Sequence, residues 1–241
     1  MPMVPITEII ILGGGLSISE GISLGLKDLI KDKCTLTINY AYKHFSHTLM
    51  VFGDYGLYVP LEAKKENKRK YPDIYEELKK EPLIIYANDK NNLGNWQLPN
   101  TLFIKTNSEY NTNPLKQEFY NHFLSGIYTL SLAQFLLDYK GTIFLLGYDF
   151  GSLNKKDDNI HYYTKEEINH KGINNTAPYT GHNPNQYFGH FKEPNIKIYN
   201  VSPNSNITNF EKIDYKKMFE LLSIQTYNQE ELRQEIKNKL K

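Results

Sequence analysis

The chain has a single cysteine, Cys34, and a formal net charge of only +1, and it lacks a long apolar run. Each shortage excludes something. One cysteine makes no intramolecular disulfide and no cysteine-based zinc site. A reducing cytoplasm is the compartment that fits this most simply. No stretch approaches the roughly 20 apolar residues of a membrane helix. Met1 to Ile11 has neither the basic start nor the apolar length of a signal peptide. A near-neutral charge argues against a dedicated nucleic-acid binder, which presents a basic face. Lysine greatly outnumbers arginine, and asparagine and tyrosine are abundant, which we read as a bias of the coding genome rather than as chemistry. No internal repeat is visible. The 241 residues suffice for one large α/β domain with a good core.

What is present is most concentrated in Ile9-Ile10-Ile11-Leu12-Gly13-Gly14-Gly15-Leu16-Ser17. A short β-branched run reads as a buried parallel strand. Three glycines and then Ser17, Ser19 and Glu20 give the order strand, tight turn, helix start. Glycine allows a sharp turn and close approach of a ligand, and a helix start offers N–H groups and a positive dipole end to an anion. A phosphorylated ligand is therefore expected at Gly13, Gly14, Gly15 and Ser17. Gly13 and Gly15 match the first glycines of G-x-G-x-x-G, but Ile18 stands where the third belongs. No Gly-Lys-Ser/Thr follows, so this is no P-loop. The plainer alternative is a tight βα turn without a ligand.

Further strands are expected at Thr35 to Asn39, His47 to Phe52, Pro82 to Ala87, Leu102 to Lys105, Thr142 to Leu146 and Ile196 to Asn200. Helices are expected at Ile22 to Ile30, Pro72 to Lys80, Ser125 to Tyr139, Tyr215 to Leu222 and Gln229 to Leu240. In Ser125 to Tyr139 the residues sort into an apolar and a polar face, and Gly141 is expected to end it. This alternation predicts an α/β, Rossmann-like, mostly parallel sheet flanked by helices. Ligands of such sheets bind beyond the carboxyl ends of the strands. That rule puts the glycine turn, Asn39, Asp54, Tyr148 and Asp149 on one edge. From 152 to 191 the chain is polar and irregular, with four of its seven histidines, His161, His170, His182 and His190. So long a loop reads as a lid or a disordered segment, and its aromatics favour an ordered lid. One domain over 1–222 is expected, with the lid at about 152–191. A charged C-terminal helix follows over 223–241, which either extends from the body or pairs with another copy.

Asp149, at a strand end behind Gly147, is placed to hold a ribose hydroxyl, bind Mg²⁺ or cap a turn. Asp54 follows a strand in the same way, or sits in a plain turn between Gly53 and Gly56. Two carboxylates on one edge suit a hard cation bridging phosphates, or ribose recognition without metal. The histidines are matched to proton transfer near neutral pH, or they merely pack. Their spacings fit no standard zinc motif. Ser125 and Gly126 form a helix start whose N–H groups face a phosphate or second substrate, or nothing. Trp96 is a recognition aromatic or a core anchor.

Three segments together resemble one family. They are Gly13 to Ser17, the Ser125-Gly126 helix leading to Leu145-Leu146-Gly147-Tyr148-Asp149, and Tyr199-Asn200-Val201-Ser202-Pro203-Asn204-Ser205. The family includes the archaeal 6-hydroxymethylpterin pyrophosphokinase and the motility-associated flagellin glycosyltransferases. It is similar in fold to bacterial sialyltransferases that use CMP-sialic acid. Where the family pattern has Gly-x-Gly-Pro-Ser-Leu, this chain has Gly15-Leu16-Ser17 without the proline. The resemblance implies a nucleotide at the glycine turn, touched by Asn39, with Ser202 bordering the site. It further implies a lid histidine, His161 first, as base, and Tyr162 or Tyr163 on the leaving phosphate. The leading expectation is a nucleotide-dependent transferase, a sialyltransferase-like glycosyltransferase with a nucleotide sugar and a small-molecule or glycan acceptor. The alternatives are a Mg²⁺-dependent pyrophosphokinase acting on a pterin-like alcohol with ATP, and a non-catalytic nucleotide-binding protein.

Overall fold

Apolar residues at every position of Glu8–Leu12 after the first make β1, a strand whose five residues are all buried. The structure, a computed structural model, describes residues 5–53, 55–66, 73–87, 95–107, 118–120, 124–150, 162 and 183–241. The strands that follow are β2 (Thr35–Ile38), β3 (Leu49–Phe52), β4 (Ile84–Tyr86), β5 (Thr101–Phe103), β6 (Lys105–Asn107), β7 (Glu118–Tyr120), β8 (Gly141–Leu146), β9 (Ile196–Asn200) and β10 (Glu211–Lys212). Eight of them form one sheet in the order β10-β9-β8-β1-β2-β3-β4-β5, and β6 pairs with β7 apart from it. Every pair is parallel. The expected Rossmann-like α/β fold is what the chain adopts. Chain order reverses between β1 and β8, the switch point where ligands of such sheets gather.

Alternation along the strands builds two faces. Ile9, Ile11, Leu36, Val51, Ile85, Ile143 and Leu145 pack on one face, with helix α6 (Ser125–Leu136). Ile10, Leu12, Phe144 and Leu146 face the other side, against α1 (Ile18–Ser23), α2 (Leu26–Ile30) and α8 (Tyr215–Leu221). Further along that side Met50, Phe52, Ile84 and Tyr86 meet α3 (Tyr55–Tyr58), α4 (Leu61–Glu66) and α5 (Tyr75–Leu78). Each fully buried Ile, Leu or Phe contributes about 1.5–3 kcal/mol. Cys34 lies in this core, and burial pushes its thiol up to about 12, so it stays protonated and unreactive.

Several elements differ from expectation for local reasons. The segment 18–30 is two helices, because Gly25 at φ +89° breaks it. α6 is not two-faced: Thr129, Ser131 and Gln134 are as buried as their apolar neighbours. Its far side is covered by β7, where Phe119 meets Phe135 edge-on at 5.5 Å and the Tyr120 amide donates to Ser131 Oγ at 3.1 Å. It ends at Leu136 rather than at Gly141, with Asp138 and Tyr139 in the left-handed region. Gly141 opens β8 instead, where a Cβ would lie 2.4 Å from the Thr7 carbonyl oxygen.

Residues 183–191, assigned to the lid from the sequence, are a packed element: α7 (Pro184–Phe188), capped by Asn183, which accepts from the Asn185 amide. Phe188 and Phe191 are buried in the core. The C-terminal helix α9 (Gln229–Lys239) does not extend from the body. Asn228 caps its start, Leu232 and Ile236 are fully buried against the core, and its apolar stripe is used within the chain. Among the described residues no helix is long and apolar enough to cross a membrane.

Candidate functional site at the carboxyl edge of the sheet

The loops after β1 and β8 flank the switch point, and main-chain hydrogen bonds stitch them together. The Gly13 amide donates to the Leu146 carbonyl at 2.8 Å, and the Gly15 amide to the Gly147 carbonyl at 2.9 Å. The glycines are required by this approach. A Cβ on Gly15 would lie 2.5 Å from the Asp149 carboxyl and 2.7 Å from the Gly147 oxygen, and one on Gly13 would lie 2.9 Å from that oxygen. Gly147 itself sits at φ +68°, where a Cβ would strike Ile18 at 2.7 Å. The closeness that the sequence assigned to a phosphate is here, in the first instance, the closeness of two strand ends.

Asp149 completes the seam. Its Oδ2 accepts from the Ser17 amide at 2.8 Å, and its Oδ1 accepts from Ser17 Oγ and Ser202 Oγ, each at 2.5 Å. One half-buried carboxylate thus joins the ends of β1, β8 and β9. It occupies the anion position at the start of α1, where backbone N–H groups favour negative charge. The loop after β9 adds a second tie: Ser205 Oγ and Asn200 Nδ2 donate to the Tyr148 carbonyl at 2.7 and 3.4 Å, and the Asn206 amide donates to the Asp149 carbonyl at 3.0 Å. Tyr215, at the start of α8, closes the seam from below. Burial, then the Asp149 and Glu20 carboxylates, push its phenol far above the ordinary range, so it stays protonated. Its ring needs Gly21 beside it, where a Cβ would lie 2.4 Å away.

The adjoining part of the edge is less closed. Asn39 follows β2, adopts φ +51° and opens a short 3-10 turn over Asn39–Lys43. Its Oδ1 is buried without a hydrogen-bond partner among the described residues, as is Oδ1 of Asn200. α6 runs back beneath the sheet, so that its N-terminus reaches this same edge. Among the described residues no side chain caps it. Gly126 there accepts a 3.0 Å bond from Tyr148 Oη through its carbonyl, and a Cβ on Gly126 would crowd the Tyr148 ring at 3.0 Å. The Gly53 backbone, just after β3, approaches Tyr128 of α6. Ser125 and Gly126 are each half-buried.

Tyr162 bridges back across this edge. Its amide donates to the Gly14 carbonyl at 3.1 Å, and its ring meets His44 at 5.2 Å and Phe45 at 6.1 Å. The hydroxyl is buried, which makes this tyrosine an anchor of its segment on the glycine turn. The structure therefore gathers Gly13, Gly14, Gly15, Ser17, Asn39, Ser125, Gly126, Tyr148, Asp149, Tyr162 and Ser202 around one edge. Asp54, His161, Tyr163, His170 and His182 lie outside the described residues. His190 is exposed and stacks edge-on against Tyr120 at 5.3 Å. Trp96 is partly exposed and meets Tyr75 at 6.3 Å. Sequence reasoning missed Tyr215, Gly21 and His44, and it quoted Asn200 within the segment Tyr199 to Ser205 without giving it a role; of these only Asn200, as a polar residue ending an apolar strand, carried a local signal.

No protein-family model matches the chain, and no curated protein matches it. Among solved structures, the MAf glycosyltransferase from Magnetospirillum magneticum AMB-1 is similar, with a TM-score of 0.52 at 11% identity. The match covers 100% of this chain and 38% of that one, so the chain spans well under half of the neighbour's length. At this identity the likeness is one of fold.

Proposed function

We propose that the protein is a glycosyltransferase that takes a nucleotide sugar at the carboxyl edge of its sheet and passes the sugar to a hydroxyl acceptor. The observation that carries this reading is the unfilled polar chemistry beside the switch point: an Asn39 Oδ1 with no hydrogen-bond partner among the described residues, on the same edge as the half-buried N-terminus of the 12-residue helix α6, which no described side chain caps. A buried carbonyl oxygen without a donor costs free energy until a ligand supplies one, and a ribose hydroxyl or a base amine does so. The N–H groups and dipole of α6 favour the phosphates. The likeness of fold to a glycosyltransferase supports the reaction class. In the sialyltransferase-like version of this reading, the nucleotide is CMP. Asp149 then acts by positioning: with its oxygens held by Ser17 and Ser202, it fixes the loops rather than touching the sugar. His161 adjoins Tyr162, the residue docked on Gly14, and remains our candidate base for the acceptor hydroxyl. Tyr163, on the other side, is the candidate donor to the leaving phosphate.

Incubation with a panel of nucleotide sugars and simple glycan acceptors, read by release of nucleoside phosphate, tests this. Release that falls by about a hundredfold in His161→Ala, with nucleotide affinity retained, is the expected result. ATP turnover dependent on Mg²⁺, with no release from any nucleotide sugar, would replace it with pyrophosphoryl transfer. Nucleotide binding without turnover would leave a binding protein.

A further inference from the structure

We infer that the groove between the β2–β3 crossover, the end of α2 and the side of α9 is a second ligand site, built for a phosphate-class oxyanion. A cavity of about 570 Å³ opens there, and no residue of the glycine turn lines it. Lys31, Lys43, His44, His47 and Arg233 line it, against one carboxylate, Glu81. The permanent charges of the lining are thus three positive and one negative.

The negative charge is already engaged, since Glu81 Oε2 lies 2.7 Å from His47 Nε2. Lys43 has its own partner outside the lining, Glu77 at 2.9 Å. Lys31 is exposed and makes no hydrogen bond or ion pair among the described residues. Arg233 is the informative residue. Its Nε donates to the Thr48 carbonyl and its Nη2 to the His47 carbonyl, both at 2.9 Å. Those two bonds fix the plane of the guanidinium without neutralising it, and no ion pair joins it to a described carboxylate. Burial pushes its pKa below the ordinary range, with Glu81 and Glu230 opposing. A held, partly desolvated cation in a cavity is stabilised by an anion that comes to it.

The geometry selects among anions. Main-chain carbonyls take the Nε–Nη2 edge of Arg233, so no anion pairs with that fork bidentately and one that enters meets single N–H groups. The donors left for it come from two elements, Lys31 after α2 and the remaining N–H groups of Arg233 on α9, with the His44 and His47 rings in the lining. Donors converging from separate directions suit a tetrahedral oxyanion, whether inorganic phosphate or the phosphoryl group of a small metabolite.

Inorganic phosphate titrated into the full chain near neutral pH, followed by the ring signals of His44 and His47, tests the assignment. The expected result is a saturable shift of both rings. The affinity should fall about tenfold in Lys31→Glu, a surface change that leaves the fold intact. Arg233→Lys should weaken it further, and Asn39→Gly at the carboxyl edge should leave it unchanged. A sugar phosphate that shifts the same rings more tightly would identify the phosphoryl group of a metabolite as the occupant. No shift, or an affinity unaltered in Lys31→Glu, would overturn the proposal. So would a stronger response to malonate than to phosphate.

Discussion

A carboxylate stands at each edge of the parallel sheet, Asp149 just beyond β8 and Glu8 at the start of β1. Both hold distant segments together through serine. Asp149 accepts from Ser17 and Ser202, and Glu8 accepts from the Ser223 amide at 3.1 Å and its hydroxyl at 3.4 Å. Around Glu8 the seam is finished. Lys33 donates to the Ser223 and Gln225 carbonyls, Thr7 Oγ1 to Gln225, and Gln229 Nε2 to the Lys33 carbonyl. Around Asp149 the seam stops short, and two buried asparagine oxygens, on Asn39 and Asn200, have no donor among the described residues. Around Glu8 the described polar groups are paired within the chain; around Asp149 two are not, and it is these that our proposed function supplies with partners from a ligand.

This difference can be broken most forcefully at Asp149. Asp149→Ala leaves the Ser17 amide and two hydroxyls without their acceptor and should cost roughly 2–4 kcal/mol. Chemical denaturation measures it, and Asp149→Asn, which keeps one acceptor oxygen, should fall between. Gly15→Ala pushes a methyl into that same carboxyl and should cost roughly 1–3 kcal/mol together with nucleotide binding. Thermal unfolding with and without nucleotide checks both effects.

Glu8 sharpens the comparison through pH. Burial raises its pKa above the usual 4.5, against lowering by Ser223 and Lys33. Its folded form therefore binds its proton more tightly than the unfolded chain does. Its contribution to stability is complete below pH 4.5 and declines as pH rises through the raised folded value. Glu8→Gln keeps an acceptor for Ser223 and removes this decline. The stability of Glu8→Gln relative to the parent should therefore grow with pH above 4.5, as a pH series of melting curves would record. The smallest stability change is expected for Asn39→Gly. Glycine accepts the φ of +51° found there, so the cost should stay within about 1 kcal/mol, while ligand affinity is lost.

The frame was readable where burial is uniform. β9 occurs at its expected bounds, β8 differs by one residue, and β1 contains the apolar run read as a strand, because a run such as Ile9 to Leu12 has few other ways to be buried. Gly25 was legible as a residue but not as a break, since the apolar spacing of Leu24, Leu26 and Leu29 continues through it. α6 was misread as two-faced because its covering, Phe119 and Tyr120, lies in another part of the chain. The candidate edge was legible through the strand-end rule, which collected Gly13 to Ser17, Asn39 and Asp149. What no local pattern revealed was that Asp149 reaches Ser17 and Ser202 across gaps of 132 and 53 residues. Nor did one reveal that Tyr215, a residue opening an ordinary helix, lies beneath them. Such contacts exist only once the order of the strands is known.

Nucleotide binding measured by calorimetry on the parent chain and on Asn39→Gly tests the central claim most directly. The ligands would be nucleoside mono- and diphosphates, CMP first, with and without EDTA. The account predicts saturable binding to the parent that EDTA does not alter, and a loss of about tenfold or more in Asn39→Gly at an unchanged melting temperature. Equal affinity in the two proteins, or no binding to a folded parent, would contradict it.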